Sequence, residues 1–181
     1  MIDSQNMCAL VVMGVSGCGK SSVARAVSQR TGAYFIEGDA WHPDANIRKM
    51  SAAIPLDDDD RQGWLQRLGE ETAHRVAAGT PVILACSALK HRYRELLRRA
   101  VSRLGFVYLD IAPAAATARV THRPGHFMPA TLIESQFHDL EPPSGEPRVL
   151  TLTATDPLNS LADQITAWWQ LPDFDYPVCH K

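Results

Sequence analysis

The chain has 181 residues, 45% of them hydrophobic and 21% charged, which is enough apolar material for one packed domain and gives no compositional case for disorder. A formal net charge of -2 excludes a broad basic field, so the expected partner is a small molecule, with no nucleic acid and no membrane surface. Four cysteines, Cys8, Cys18, Cys86 and Cys179, are too widely spaced for a zinc site or a secreted disulfide scaffold and read as free thiols of a cytoplasmic protein.

The first apolar run, Met7 to Met13, is far shorter than the ~20 residues that span a bilayer. It is apolar without alternation and predicts a strand buried on both faces. A glycine-rich turn leads into a helix from Ser21 to Arg30 that ends near Gly32, and Ala33 to Glu37 predicts the second strand. Helices follow at His42 to Ala53, opened by Pro43, and at Asp60 to Ala78, closed by Gly79. Asp57 to Asp60 reads as an acidic cap for the second of these, because it lacks the spacing of a calcium loop. Pro81 to Cys86 is the third strand, Lys90 to Leu104 an arginine-dense helix, Gly105 to Ile111 the fourth strand and Pro113 to Thr121 the start of another helix. Glu141 to Pro147 is a surface loop, Arg148 to Thr153 the fifth strand and Leu158 to Trp169 the closing helix, followed by a tail from Pro172 to Lys181. The alternation predicts one α/β domain, a five-stranded parallel sheet flanked by helices.

Gly14-Val15-Ser16-Gly17-Cys18-Gly19-Lys20-Ser21 fits G-x-x-x-x-G-K-[ST] between an apolar strand and a helix, as a P-loop requires. Backbone amides turn inward around phosphate oxygens there, Lys20 reaches the β and γ phosphates, and the Ser21 hydroxyl suits magnesium. Gly14, Ser16, Gly17, Cys18, Gly19, Lys20, Ser21 and Ser22 are therefore the expected ATP contacts. Asp60-Arg61-Gln62-Gly63 spells the D-x-x-G of regulatory GTPases, but their N-K-x-D base reader is absent. At the end of the second strand, Glu37-Gly38-Asp39 sets two carboxylates at the edge where open α/β sheets bind ligands, one suited to magnesium and one to an acceptor hydroxyl. These features leave several readings open: a kinase for a sugar acid, for shikimate or for a nucleoside monophosphate, and a regulatory nucleotide-binding module.

A wider set of motifs resembles the gluconokinase family. Beside the P-loop it comprises Phe35 to Pro43, Asn46 to Met50, Ile54 to Leu56, Asp58 to Arg61, Trp64-Leu65, Cys86 to Lys90, Tyr93-Arg94, Gly125 to Pro129, Ser135 to Phe137 and Leu140-Glu141, in the family's order. The resemblance implies a P-loop kinase fold with a small lid, similar to shikimate and nucleoside monophosphate kinases. It also implies transfer of the ATP γ-phosphoryl group to the 6-hydroxyl of D-gluconate, with magnesium.

On this reading Lys20, Asp39 and Arg123 are the catalytic residues, Asp39 orienting and deprotonating the acceptor and Glu37 standing one shell out from magnesium. Gluconate needs cations for its carboxylate and fixed polar groups for its hydroxyls, and His42, Arg48, Lys49, Arg61, Lys90 and Arg94 are the available cluster, with Ser87 beside them. Of these, His42, Lys49, Arg61, Ser87 and Lys90, together with Asp39, are the substrate-binding candidates. Arg119 and Arg123, leading into Pro124-Gly125-His126, suit a lid over roughly 119–130 that brings charge to the phosphoryl group, with Arg119 on the adenine. Thr155-Asp156-Pro157 either borders the base or caps the closing helix. Ala53 stands where the family commonly has glycine and Glu37 where it commonly has aspartate. A homodimer fits the resemblance.

Overall fold

The computed structural model describes residues 7–121 and 130–170. In chain order the elements are β1 (Ala9–Met13), α1 (Lys20–Thr31), β2 (Tyr34–Glu37), α2 (Asp44–Ser51), α3 (Asp58–Ala77), β3 (Val82–Ala85), α4 (His91–Ala100), β4 (Leu104–Asp110), α5 (Pro113–Thr121), α6 (Ala130–Asp139), β5 (Val149–Thr153) and α7 (Leu158–Trp169). A short 3-10 turn, Gly38–Trp41, joins β2 to α2.

The five strands form one parallel sheet in the order β2-β3-β1-β4-β5. Every residue of β1 is buried, because helices cover both faces of the sheet. Leu10 and Val12 join a core with Val23 and Val27 of α1 and Leu161 and Ile165 of α7, while Ala9, Val11 and Met13 face Trp64, Leu65 and Leu68 of α3 and Leu97 of α4. The strand order reverses beside β1, so the loop leaving its carboxyl end opens into the crevice where such sheets bind ligands.

Helix ends account for most of the differences from the sequence expectation. Pro43 is the N-cap of α2 with extended backbone, one residue outside the helix, and α4 stops at Ala100 because Val101 is already extended at φ -133 and ψ 102. Asp57 caps α3 by a reciprocal box: its side chain accepts from the Asp60 N–H at 2.8 Å, and the Asp60 side chain accepts from the Asp57 N–H at 3.0 Å. The helix α6 has no counterpart in the periodicity reading. Most of the expected lid, and the tail from 172, lie outside the described residues.

Arg94 corrects one expectation. Offered by the sequence as a substrate cation, it is 0% exposed. Its Nε donates to both Glu146 oxygens at 3.0 Å and its Nη1 to the carbonyls of Ala88 and Leu89 at 2.9 and 2.8 Å. Glu146 also accepts from Arg98 at 2.8 Å, and His91 Nδ1 stands 3.1 Å away. Burial would raise the Glu146 carboxyl, but the bonds from Arg94, Arg98 and His91 outweigh it and bring its pKa down to about 2. Glu146→Ala strands a buried guanidinium and is expected to cost about 3–5 kcal/mol in urea denaturation.

Ala53 adopts a left-handed φ of 59 at the end of α2, a conformation that favours glycine. A Cβ there costs about 1–2 kcal/mol, so Ala53→Gly should raise the Tm by about 2–4 °C for each kcal/mol of strain relieved, read by calorimetry.

Candidate active site

The phosphate loop connects β1 to α1. A Cβ on Gly17 would sit 2.7 Å from the Ala116 carbonyl oxygen of α5, and its φ of 86 is left-handed, so only glycine lets the loop run this close to α5. The first turn of α1 has no side-chain cap and no acidic residue, which leaves its N–H groups and the positive end of its dipole facing the cleft. Lys20 folds back over its own loop, its Nζ donating to the Val15 carbonyl at 3.1 Å. Cys18 is buried in the loop and burial pushes its thiol pKa up, so it is a neutral filler and not a thiolate. Burial likewise pushes the Cys86 thiol, just past the end of β3, up to about 12.

Two concavities meet at this loop. A cleft of about 620 Å³ is lined by Ser16 to Val23 of the loop and α1, by Glu37 and Asp39, by Arg119, and at its far end by Ala154, Asp156, Leu158 and Leu161. Arg119 reaches over the loop, its Nη1 lying 3.4 Å from the Gly17 carbonyl and 3.5 Å from that of Cys18. Leu158 and Leu161 give one end an apolar wall that the sequence reading did not assign.

The second is a cavity of about 140 Å³, below the ~300 Å³ at which pockets begin to take drug-sized ligands, so it suits a small acceptor. Asp39, His42, Arg61 and Ser87 line it, with Met50, Trp64, Ser135 and Gln136. Ser16, Lys20 and Asp39 line both spaces.

Asp39 stands at this seam for a local reason. Gly38 lies so close to β3 that a Cβ would overlap the Ala85 carbonyl oxygen, and its own carbonyl accepts from Trp64 Nε1 at 2.8 Å. The backbone is thus held on both sides at the point where β2 ends. Trp64 also stacks on His42, with ring centroids 4.1 Å apart. Asn46, which is buried, donates through Nδ2 to the Asp60 carbonyl at 2.8 Å, and the same nitrogen is 3.4 Å from His42 Nδ1. A donor facing Nδ1 makes that nitrogen the acceptor and leaves the ring proton on Nε2. Burial lowers the imidazole pKa, Asp39 raises it and Arg61 lowers it again, with the net effect downward.

The sequence-expected cations part company here. Arg61 is buried at the cavity wall, held by Asp139 at 2.9 Å and Tyr93 at 3.3 Å. Lys90 pairs with Asp58 at 3.0 Å and shares Asp139 at 3.3 Å, and Lys49 bonds both oxygens of Asp60 at 2.7 and 2.6 Å. Neither lysine is among the residues lining the cavity. Arg48 is exposed on α2. Arg123 lies outside the described residues. Asn46, Trp64, Ser135, Gln136 and Asp139 were missed as individual site residues; only their positions in or beside family motifs marked them.

A family model described as an AAA domain matches residues 10–143. The chain is 41% identical over 164 residues to a gluconokinase of Gluconobacter oxydans, covering 91% of this chain and 92% of that one. The chain belongs to the gluconokinase family. A crystal structure of a gluconokinase from Sinorhizobium meliloti superimposes with a TM-score of 0.82 at 45% identity, covering 91% of this chain and 93% of the other. An unliganded sugar kinase from a Janibacter species does so with a TM-score of 0.86 at 39% identity, over 91% and 95%. The five-stranded parallel sheet with flanking helices is thus the P-loop kinase fold of this family. No helix among the described residues is long and apolar enough to cross a membrane.

The depressed His42 pKa sets a pH dependence. Unfolded histidine titrates near 6.5, and the folded ring takes up a proton only below that, so its contribution to stability is lost as pH falls from about 6.5. Between about pH 7 and about pH 5.5, wild type should lose more stability in urea denaturation than His42→Gln does.

Proposed function

We propose that this protein transfers the γ-phosphoryl group of ATP to the 6-hydroxyl of D-gluconate, giving 6-phosphogluconate and ADP. The observation that carries the reading is the shared wall: Ser16, Lys20 and Asp39 belong at once to a cleft of nucleotide size and to a small cavity that mixes polar and apolar walls. A phosphoryl donor and a small acceptor in these two spaces meet at those side chains. The names of the relatives support gluconate as the acceptor.

In this mechanism the loop amides and Lys20 hold the phosphates, and Asp39 receives the proton of the 6-hydroxyl as its oxygen bonds to the γ-phosphorus and the bond to the ADP oxygen breaks. Arg61, with its second partner Asp139 fixing its direction, supplies positive charge for the gluconate carboxylate. The His42 Nε2–H and the Ser87 hydroxyl are donors for gluconate hydroxyls. Lys49 and Lys90 act one layer out: Lys90 shares the acid that holds Arg61, and Lys49 holds Asp60, whose carbonyl orients Asn46 beneath His42. Arg119 covers the nucleotide against Leu158, and Arg123 brings charge to the transferring group.

Ser21 and Glu37 offer oxygen donors in the cleft, a set that fits a hard cation, and among the described residues no three His, Cys, Asp or Glu side chains converge on one point. Ser21 would hold a magnesium ion there directly, with Glu37 one shell out. When bound, magnesium neutralises charge on the β and γ phosphates. A cytoplasmic setting belongs to the same proposal, consistent with Cys8, Cys18 and Cys86 as free thiols.

The test is ADP release with magnesium and ATP in the presence of D-gluconate, shikimate, AMP or D-glucuronate in turn. Turnover with gluconate alone is expected; turnover with none would remove the acceptor assignment. Asp39→Asn should lower kcat by about 100-fold or more while leaving ATP affinity nearly unchanged in a binding titration.

A further inference from the structure

Gln136, on α6, has no role in the mechanism above, yet it touches the seam between donor and acceptor. Its Oε1 accepts a hydrogen bond from the Ser16 backbone N–H at 2.7 Å, a contact across 120 residues of sequence. Ser16 is one of the three residues common to the nucleotide cleft and the acceptor cavity, and Gln136 itself lines the cavity.

The chemistry of that bond orients the amide. A backbone N–H can only donate, so the oxygen must face the loop and the NH2 group must turn the other way. No hydrogen bond from Nε2 is made among the described residues, and the side chain is only half-buried. The helix beneath it is fixed from the same side: Asp139, three residues on and so on the same face, accepts from Arg61 at 2.9 Å. Gln136 is thus a clamped amide with two N–H donors, standing beside the phosphate loop in a cavity proposed to take a polyhydroxylated acid.

We propose that Gln136 is an acceptor-binding residue whose Nε2 donates to a hydroxyl oxygen at the reacting end of gluconate, while its Oε1 keeps that end in register with the phosphate loop. The inference rests on the gluconate reading. A site that hydrogen-bonds a substrate hydroxyl loses binding of that substrate when its own partner group is removed, and the loss falls on the acceptor and not on the nucleotide.

Steady-state kinetics of Gln136→Glu and Gln136→Met, with gluconate and ATP varied separately, test it beside thermal melts. Glutamate keeps an oxygen for Ser16 but has no donor; methionine matches the volume, has neither, and carries no charge that could repel the substrate. The expected result is a gluconate KM raised about tenfold or more in both variants, with the ATP KM within about twofold and the Tm near wild type. If Gln136→Glu matches wild type while Gln136→Met raises the ATP KM, the residue only supports the loop and the proposal is overturned. It is equally overturned if neither variant changes the gluconate KM. Wild type in the same assay separates the two levels: no turnover with gluconate defeats the functional reading and this inference with it, whereas normal wild-type turnover beside unchanged variants defeats the inference alone.

Discussion

Gly38, just past the end of β2, lies so close to β3 that a Cβ would overlap the Ala85 carbonyl oxygen, and the rest of the site depends on it. A side chain at that point would push the 3-10 turn outward and carry Asp39 away from Lys20. Because the Gly38 carbonyl also accepts from Trp64, and Trp64 stacks on His42, one short piece of main chain sets the heights of a carboxylate, an indole and an imidazole together. Parallel pairing of β1 with both β3 and β4 then brings the phosphate loop to the same edge. Asp39, His42 and Ser87 hang from strand ends and short turns, whereas Arg61 and Trp64 reach the same cavity from α3.

Charge in this molecule is organised by pairing rather than by accumulation. Arg61, Lys90, Asp58, Asp139 and Tyr93 form a connected network behind the acceptor cavity, and Lys49 closes the capping box of α3 from outside. Of these charged residues, Arg61 alone lines the cavity. A lone buried cation would be costly to desolvate, and an acid at its back lowers that cost while keeping a donor pointed forward.

The sheet was legible because its signal is local. An apolar run without alternation, such as Met7 to Met13, has to be covered on both faces, and the G-x-x-x-x-G-K-S spacing can only be satisfied between a strand and a helix. The α3 cap was legible for the same reason: Asp57 and Asp60 have the spacing of a reciprocal box. What stayed hidden depended on partners distant in the chain. Arg94 looks like any exposed helix cation until Glu146, on a loop 52 residues later, neutralises it in the core. The helix α6 follows a Pro- and Gly-containing stretch, and among the described residues it buries Leu132 and Ile133 and partly buries Phe137, too short a face for a periodic pattern to stand out. Gln136 was marked only as part of the Ser135 to Phe137 motif, because the contact that singles it out is with an amide 120 residues earlier.

The common wall of the two spaces has a consequence for ligand design. Ser16, Lys20 and Asp39 line both, so on the proposed reading the end of one ligand and the start of the other meet at the same three side chains. A single molecule joining an adenosine polyphosphate to a sugar acid through its terminal hydroxyl would be held at that junction by the same three side chains. Its two halves would share one loss of translational freedom, so its affinity should approach the product of the separate affinities scaled by an effective concentration. Selectivity would come from the smaller chamber, because nucleotide clefts of this kind recur wherever the loop does, whereas on the proposed reading His42, Trp64 and Arg61 face the acceptor.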